Sequence, residues 1–346
     1  MSQGLTGRRP EMDLLKLAAC LAVIAIHVSA MGVASPHVAG WAQSAAIAVN
    51  GLTYFAVPAF IFLSGTGLML RYRGSPLKAA DFYRRRTGAI LLPYLGWSYT
   101  YYFVYAAAGY YALDLGNLLR VTFLGMGEYH LYFVVILFQL YLLFPLLKRA
   151  LEAWTPLGFL GAMLVLHLAY TAAPPPWPYM DRFFMPYLVH FAAGMALGSR
   201  YELCSRVLTR FRALAAAGFA LLAWAYVRSR FLPPPLYGAT QLWHGYSLGT
   251  VLTGFAWAPG LQAASGSAVD LGWLKRASEA TFYVYLGHPL LLALFFKLWN
   301  DAGLRPGLGV LVLSYGVVTV LSFLGALGYV CLKEWQRSKN RMIDKT

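Results

Sequence analysis

Asp13-Leu-Leu-Lys16-Leu-Ala-Ala-Cys20-Leu-Ala-Val-Ile-Ala-Ile-His27 decides the fold of this chain. Apart from its three ionisable side chains the stretch is apolar, and the run over 12–32 is long enough to cross a hydrocarbon core as a helix. Ionisable groups are costly inside a bilayer, so Asp13, Lys16 and His27 mark a substrate path or a catalytic centre. Lys16 and His27 are eleven residues apart. At about 100° per residue they share a helix face to within roughly 20°. At 1.5 Å per residue they stand about 16 Å apart along the axis.

The rest of the sequence repeats the pattern. Hydrophobic residues make up 59% of the 346 and charged residues 12%, about half the charged share of a soluble domain. Ten apolar stretches recur, at approximately 12–32, 50–70, 87–108, 130–147, 156–173, 183–199, 213–231, 245–263, 279–297 and 309–332. The expected fold is all-α, a single multi-pass membrane domain over 1–346 with about ten transmembrane helices. Its membrane core covers about 12–332, and a short basic tail occupies 333–346. Arg8 and Arg9 precede the first apolar stretch as in a signal peptide, but no small-residue cleavage site follows, so that stretch reads as a retained helix.

The net charge of +15 is explained by topology. With the N-terminus in the cytoplasm, 21 of the 28 basic residues fall on inner segments. This positive-inside bias predicts two cytoplasmic termini in a cytoplasmic (inner) membrane, with the bilayer and not nucleic acid as the basic residues' partner. Cys20, Cys204 and Cys331 are too few and scattered for a disulfide framework or zinc site, and read as free thiols. Outer loops rich in proline, Pro174-Pro175-Pro176-Trp177-Pro178 and Pro233-Pro234-Pro235, read as extended segments with interfacial aromatic neighbours. The alternative reading is that the aromatic rings line an opening for an extracellular sugar.

Several residues are candidates for chemistry. His27 lies about 22 Å into its helix, where an imidazole can accept a proton from a substrate. Glu128 and His130 stand together where the fourth span begins, either as a second acid–base pair or as interfacial polar groups. His288 is followed by Pro289, which frees a backbone carbonyl in its helix. Arg84-Arg85-Arg86 end the most basic inner segment, the loop 71–86, and would either anchor to lipid headgroups or dock an anionic cofactor. No HExxH, CxxC pair, phosphate-binding glycine loop or GxSxG occurs, so metal hydrolases, P-loop enzymes and serine hydrolases lack their signals, and no metal is expected.

Five stretches in order resemble the family-3 membrane acyltransferases. They are Asp13-Leu-Leu-Lys16 with ten residues between Lys16 and His27; Val57-Pro58-Ala-Phe60-Ile-Phe-Leu-Ser64-Gly65; Phe82-Tyr83-Arg84-Arg85-Arg86 leading to Pro93-Tyr94; His130-Leu-Tyr-Phe133 continuing to Tyr141 and Pro145; and Tyr283-Val-Tyr285-Leu-Gly-His288-Pro289. The resemblance implies a ten-helix core, an acyl donor (usually acetyl-coenzyme A) bound from the cytoplasm, and an acceptor hydroxyl presented from outside. His27 matches the family's essential histidine, proposed as its base, and Lys16 the basic position below it. Arg86 matches the first arginine of an Arg-x-x-Arg motif whose second position is Ala89 here. Either Arg84 or Arg85 supplies that charge, or donor binding departs from the family pattern. No hydrolase-like domain of the kind some relatives append follows the tenth stretch, which implies that transfer ends in the membrane domain or on another protein.

The resulting expectation is a surface-glycan O-acyltransferase. Lys16 and Arg84–Arg86 would bind acetyl-coenzyme A as co-substrate, His27 would be the general base, and Glu128 and His130 would orient a carbohydrate or glycolipid acceptor. Asp13, Ser64 and His288 would support the site, and proteins of a glycan-assembly pathway would be partners. The competing readings are a sugar or amino-acid transporter and an N-acyltransferase acting on an amino sugar.

Overall fold

A computed structural model describes residues 9–232, 239–265, 271–305 and 307–343. The second proline-rich loop, Pro233-Pro234-Pro235, lies outside them, as do Arg8 and the last residues of the basic tail. Among the described residues every regular element is helical and no strand occurs. Among the described residues five stretches are long and apolar enough to cross a membrane: Pro10–Ala34, Trp41–Tyr72, Tyr129–Ala153, Gly272–Asp301 and Leu308–Lys339. A sixth forms if Tyr201–Arg210 and Arg212–Ser229, bent by 78° at their junction, count as one. Within the segment around 174–178 the chain is non-helical, as the run of prolines requires.

The chain divides into two compact units, one of residues 1–59 with 205–346 and the other of residues 60–204. In the first unit, α1 (Pro10–Ala34) begins on a proline and carries Glu11 and Asp13 in its first turn, where negative charge suits the helix dipole. It ends at Ser35, whose extended backbone precedes Pro36. α2 (Trp41–Thr53) returns beside it. Asn50 fastens the pair, its side-chain amide donating to the Ile26 carbonyl at 3.0 Å and to the Ser29 hydroxyl at 3.2 Å. Gly32 keeps this end thin, since an added Cβ would come within 3.0 Å of Ala46 on α2.

In the second unit, α3 (Ala56–Tyr72) continues from Phe60 onward. α4 (Ala79–Arg86) runs through a π-helical turn, Thr87–Leu91, into α5 (Leu92–Ala107). α6 (Leu115–Leu124) precedes α7 (Tyr132–Ala153), α8 (Pro156–Ala172) and α9 (Leu188–Ser199). α7 packs on α4, α6, α8 and α9. α3 and α9 meet backbone to backbone. An added Cβ at Gly65 would collide with the Phe191 carbonyl, one at Gly194 with the Phe62 carbonyl, and one at Gly198 would sit 2.7 Å from the Thr66 carbonyl. Gly194 and Gly198 form the small-xxx-small spacing that lets helices approach this closely in a membrane.

α10 (Tyr201–Arg210) links onward, and the first unit resumes with α11 (Arg212–Ser229), α12 (Ala239–Ser265), α13 (Leu271–Asp301) and α14 (Leu308–Ile343). α1 is surrounded by α2, α12, α13 and α14. Its contacts with α13 advance together along both helices, so the two run parallel: Asp13 meets Ser278, Cys20 the Thr281 carbonyl and His27 His288. α14 runs the other way. Glu334 pairs with Arg276, and Lys333 donates to the Tyr283 hydroxyl, while at the opposite end of α14 Leu311 lies against Gly32.

Four segments depart from the sequence reading. Residues 79–86, expected within a loop, are helical, with Asp81 in the first turn and Arg84–Arg86 in the last matching the dipole. The region between the third and fourth apolar stretches holds α6, capped by the Asp114 carboxylate accepting from Asn117 N. Residues 201–210 of a basic segment are helical as α10. The second apolar stretch, expected from about 50, begins at Trp41, because α2 precedes α3. The three cysteines are free thiols.

Candidate active site

The first unit brings the first and fifth sequence motifs together. Asp13, Cys20 and His27 recur every seven residues, so one stripe of α1 faces α13. At its start the Ser278 hydroxyl donates to the buried Asp13 carboxylate at 2.6 Å. Lys16 Nζ lies 3.8 Å from the same carboxylate, one turn on and partly exposed. Asp13 therefore ties Lys16 to α13 and reduces the cost of keeping a cation there.

Further along the stripe, the His27 and His288 rings lie face to face, with centroids 5.2 Å apart and planes 24° apart. His288 is fully buried. Its Nδ1 lies 2.9 Å from the Tyr285 carbonyl and 3.1 Å from the Val284 carbonyl. Both partners are acceptors, so Nδ1 carries the proton and Nε2 is the acceptor nitrogen of the neutral ring.

The second unit gathers parts of the second, third and fourth motifs around Tyr141. The Ser64 hydroxyl and the Tyr141 hydroxyl are hydrogen-bonded at 2.6 Å. The Arg86 guanidinium lies 5.5 Å from the Tyr141 ring centre and 5.8 Å from that of Phe82. Arg86 Nε is buried and has no hydrogen-bond acceptor. A buried guanidinium N–H between aromatic rings is a donor prepared for an anion. Arg84 instead pairs with Asp81 at 3.0 Å, and Arg85 Nε donates to the Asp81 carbonyl at 3.1 Å; both are exposed. The three adjacent arginines are thus not equivalent. Ala89 lies in the π-helical turn that follows and is exposed. Such turns often sit at functional sites because they re-aim the side chains around them.

Glu128 caps the short helical turn Tyr129–Leu131 ahead of α7, and His130 is its middle residue. The Glu128 carboxylate accepts from the Tyr105 hydroxyl and, at 3.0 Å, from the Tyr129 amide. Burial pushes its carboxyl above the usual carboxylate range, while those two donors hold it down. His130, 2% exposed, is packed edge-on against Tyr101 and Tyr129, with ring centres 5.7 and 5.9 Å away. The sequence reading did not single out Tyr105, Phe82 and Ser278 as site residues. The tyrosine-rich run over 99–111 was the one signal for the first; nothing local in the sequence pairs Ser278 with Asp13. No group of three or more His, Cys, Asp or Glu able to hold a metal occurs among the described residues.

Apolar helices of membrane-crossing length that carry buried ionisable side chains define a multi-pass membrane protein. The chain belongs to acyltransferase family 3, whose model, that of an acyltransferase domain, matches residues 9–329. It is an acyltransferase. Among curated proteins it is similar to the succinoglycan biosynthesis protein ExoH of Rhizobium meliloti (strain 1021), with 27% identity over 319 residues, covering 85% of this chain and 81% of that protein. No solved structure matches it.

Proposed function

We propose that the protein moves an acyl group, acetyl or succinyl, from a cytoplasmic coenzyme A thioester to a hydroxyl of an extracytoplasmic or lipid-linked carbohydrate. The observation that carries this reading is the His27 ring, held against His288 on apolar helices one face of which begins with Lys16 and Asp13. The similarity to a protein named for succinoglycan biosynthesis supports a glycan as acceptor.

The chemistry needs a base for the acceptor hydroxyl and a cationic grip on the donor. His27 takes the hydroxyl proton as the oxygen attacks the thioester carbonyl. A carbon–oxygen bond forms, the carbon–sulfur bond breaks, and the proton passes from His27 to the departing thiolate. General-base help of this kind is typically worth about 10²–10⁴-fold. Arg86 holds a donor phosphate through its buried Nε–H, and Lys16 supplies a second cation for the donor. Glu128 and His130, beside their tyrosines, orient the sugar. The whole of residues 1–346 acts as one catalytic domain in the cytoplasmic membrane, with protein partners from glycan assembly. The count of about ten spans rests on the ten apolar stretches of the sequence, and five or six of the helical stretches among the described residues have the length and apolarity to cross a membrane. Cytoplasmic termini are supported by the basic inner segments and by α14 running opposite to α1.

The test is transfer of label from acetyl- or succinyl-coenzyme A in membranes of the native host, where the acceptor is present. Base-labile label on a glycan is the expected product. Base-stable label would make the enzyme an N-acyltransferase, and no glycan label from either donor would contradict the proposal.

A further inference from the structure

Pro289 has no N–H, so the Tyr285 carbonyl, four residues back on α13, loses its regular helical donor. A buried carbonyl left this way is costly. His288 Nδ1–H fills the gap at 2.9 Å. The Val284 carbonyl at 3.1 Å is the one His288's own backbone amide serves in a regular helix, so the bond at 2.9 Å to Tyr285 is the one that replaces the donor lost at Pro289. Histidine and proline at successive positions therefore act as one device: the proline frees an acceptor and the histidine answers it. The bond fixes the His288 tautomer and the plane of its ring.

We propose that His288, locked in its Nδ1–H tautomer by the carbonyl that Pro289 frees, is the positioning residue for His27. The inference rests on His27 being the base. The flat, immobile face of His288 sets the orientation of the His27 ring stacked on it, at 5.2 Å and 24°, as supporting side chains do for a catalytic group.

The test has a spectroscopic arm and a kinetic arm. The full chain is labelled with [15N]histidine, reconstituted in lipid bilayers and examined by solid-state NMR, with the His288→Gln difference spectrum assigning the residue among the seven histidines. The expected His288 signal is the Nδ1–H tautomer, moving toward the Nε2–H form in Pro289→Ala, where the Tyr285 carbonyl regains a backbone donor. An Nε2–H signal in the wild type, or no change in Pro289→Ala, overturns the lock. In the kinetic arm, His288→Gln lowers kcat at least tenfold with the donor KM unchanged, and costs nothing further in a His27→Ala background. Wild-type kcat in His288→Gln, or an equal loss on both backgrounds, overturns the positioning role. Transfer that survives His27→Ala alone refutes the base assignment instead, and leaves the tautomer result to stand by itself.

Discussion

The hydroxyl of Ser278 on α13 donates to the buried carboxylate of Asp13 on α1, at 2.6 Å. That bond sets the register of the helix pair, because the same stripe places His27 on His288 two heptads later. Ser278→Ala removes one donor from a carboxylate 5% exposed. The expected cost is about 1–3 kcal/mol of stability, with a smaller effect on donor KM than Lys16→Ala. Chemical denaturation in detergent alongside donor saturation curves measures both.

The glycine seam between α3 and α9 predicts a sharp contrast within one unit. Gly194→Ala drives a methyl into the Phe62 carbonyl and Gly65→Ala drives one into that of Phe191. Each should cost at least the ~1–3 kcal/mol of an overpacked core. Gly161→Ala on α8 meets nothing within 4 Å and should be neutral, or stabilising by up to about 1 kcal/mol. Thermal unfolding of the three variants decides it. A Gly194→Ala protein as stable as Gly161→Ala would remove the seam.

Arg86 and its neighbours should separate cleanly. Arg86→Ala is expected to raise the donor KM at least tenfold, and Arg86→Lys to recover little, because a lysine lacks both the planar stack on Tyr141 and Phe82 and the Nε–H. Arg84→Ala and Arg85→Ala, whose side chains are exposed and turned to Asp81, should change KM less than threefold. Donor saturation kinetics of the four variants provide the comparison.

Glu128 gives a pH signature. Its carboxyl is raised in the folded protein, chiefly by burial. A group raised in this way adds stability below the ordinary carboxylate value and loses it as pH rises through the raised value. Glu128→Gln should therefore match the wild type in acid and exceed it in melting temperature near neutrality. If the carboxylate orients the acceptor, wild-type transfer falls as pH drops through the raised value. The glutamine variant should lack that acid limb and be slower at neutral pH. Melting curves and a pH–rate profile of the two proteins check both signs.

Much of this arrangement is legible in the sequence, and the unreadable parts have a physical reason. The helical class follows from apolar runs of membrane length, and Lys16 and His27 stand out as candidates by their cost in hydrocarbon. His288-Pro289 could be read as a freed carbonyl, but not that Nδ1 of the same histidine caps it, since that depends on a rotamer. α4, α6 and α10 are not legible in this way because short polar or amphipathic helices lack the apolar length that marks a span. Arg84, Arg85 and Arg86 look alike in sequence; a helical turn and a π-helical turn make one of them inward and two outward. Ser278 with Asp13 and Tyr105 with Glu128 are pairings made by tertiary packing, which no local pattern encodes.

The most direct test of the central claim is the single-turnover rate of acyl transfer by wild type and His27→Ala, both reconstituted with host lipid and glycan, at saturating labelled donor. The account predicts a fall of about 10²–10⁴-fold in the variant, with donor binding retained. A His27→Ala protein that folds, binds donor and transfers acyl groups at the wild-type rate would contradict it.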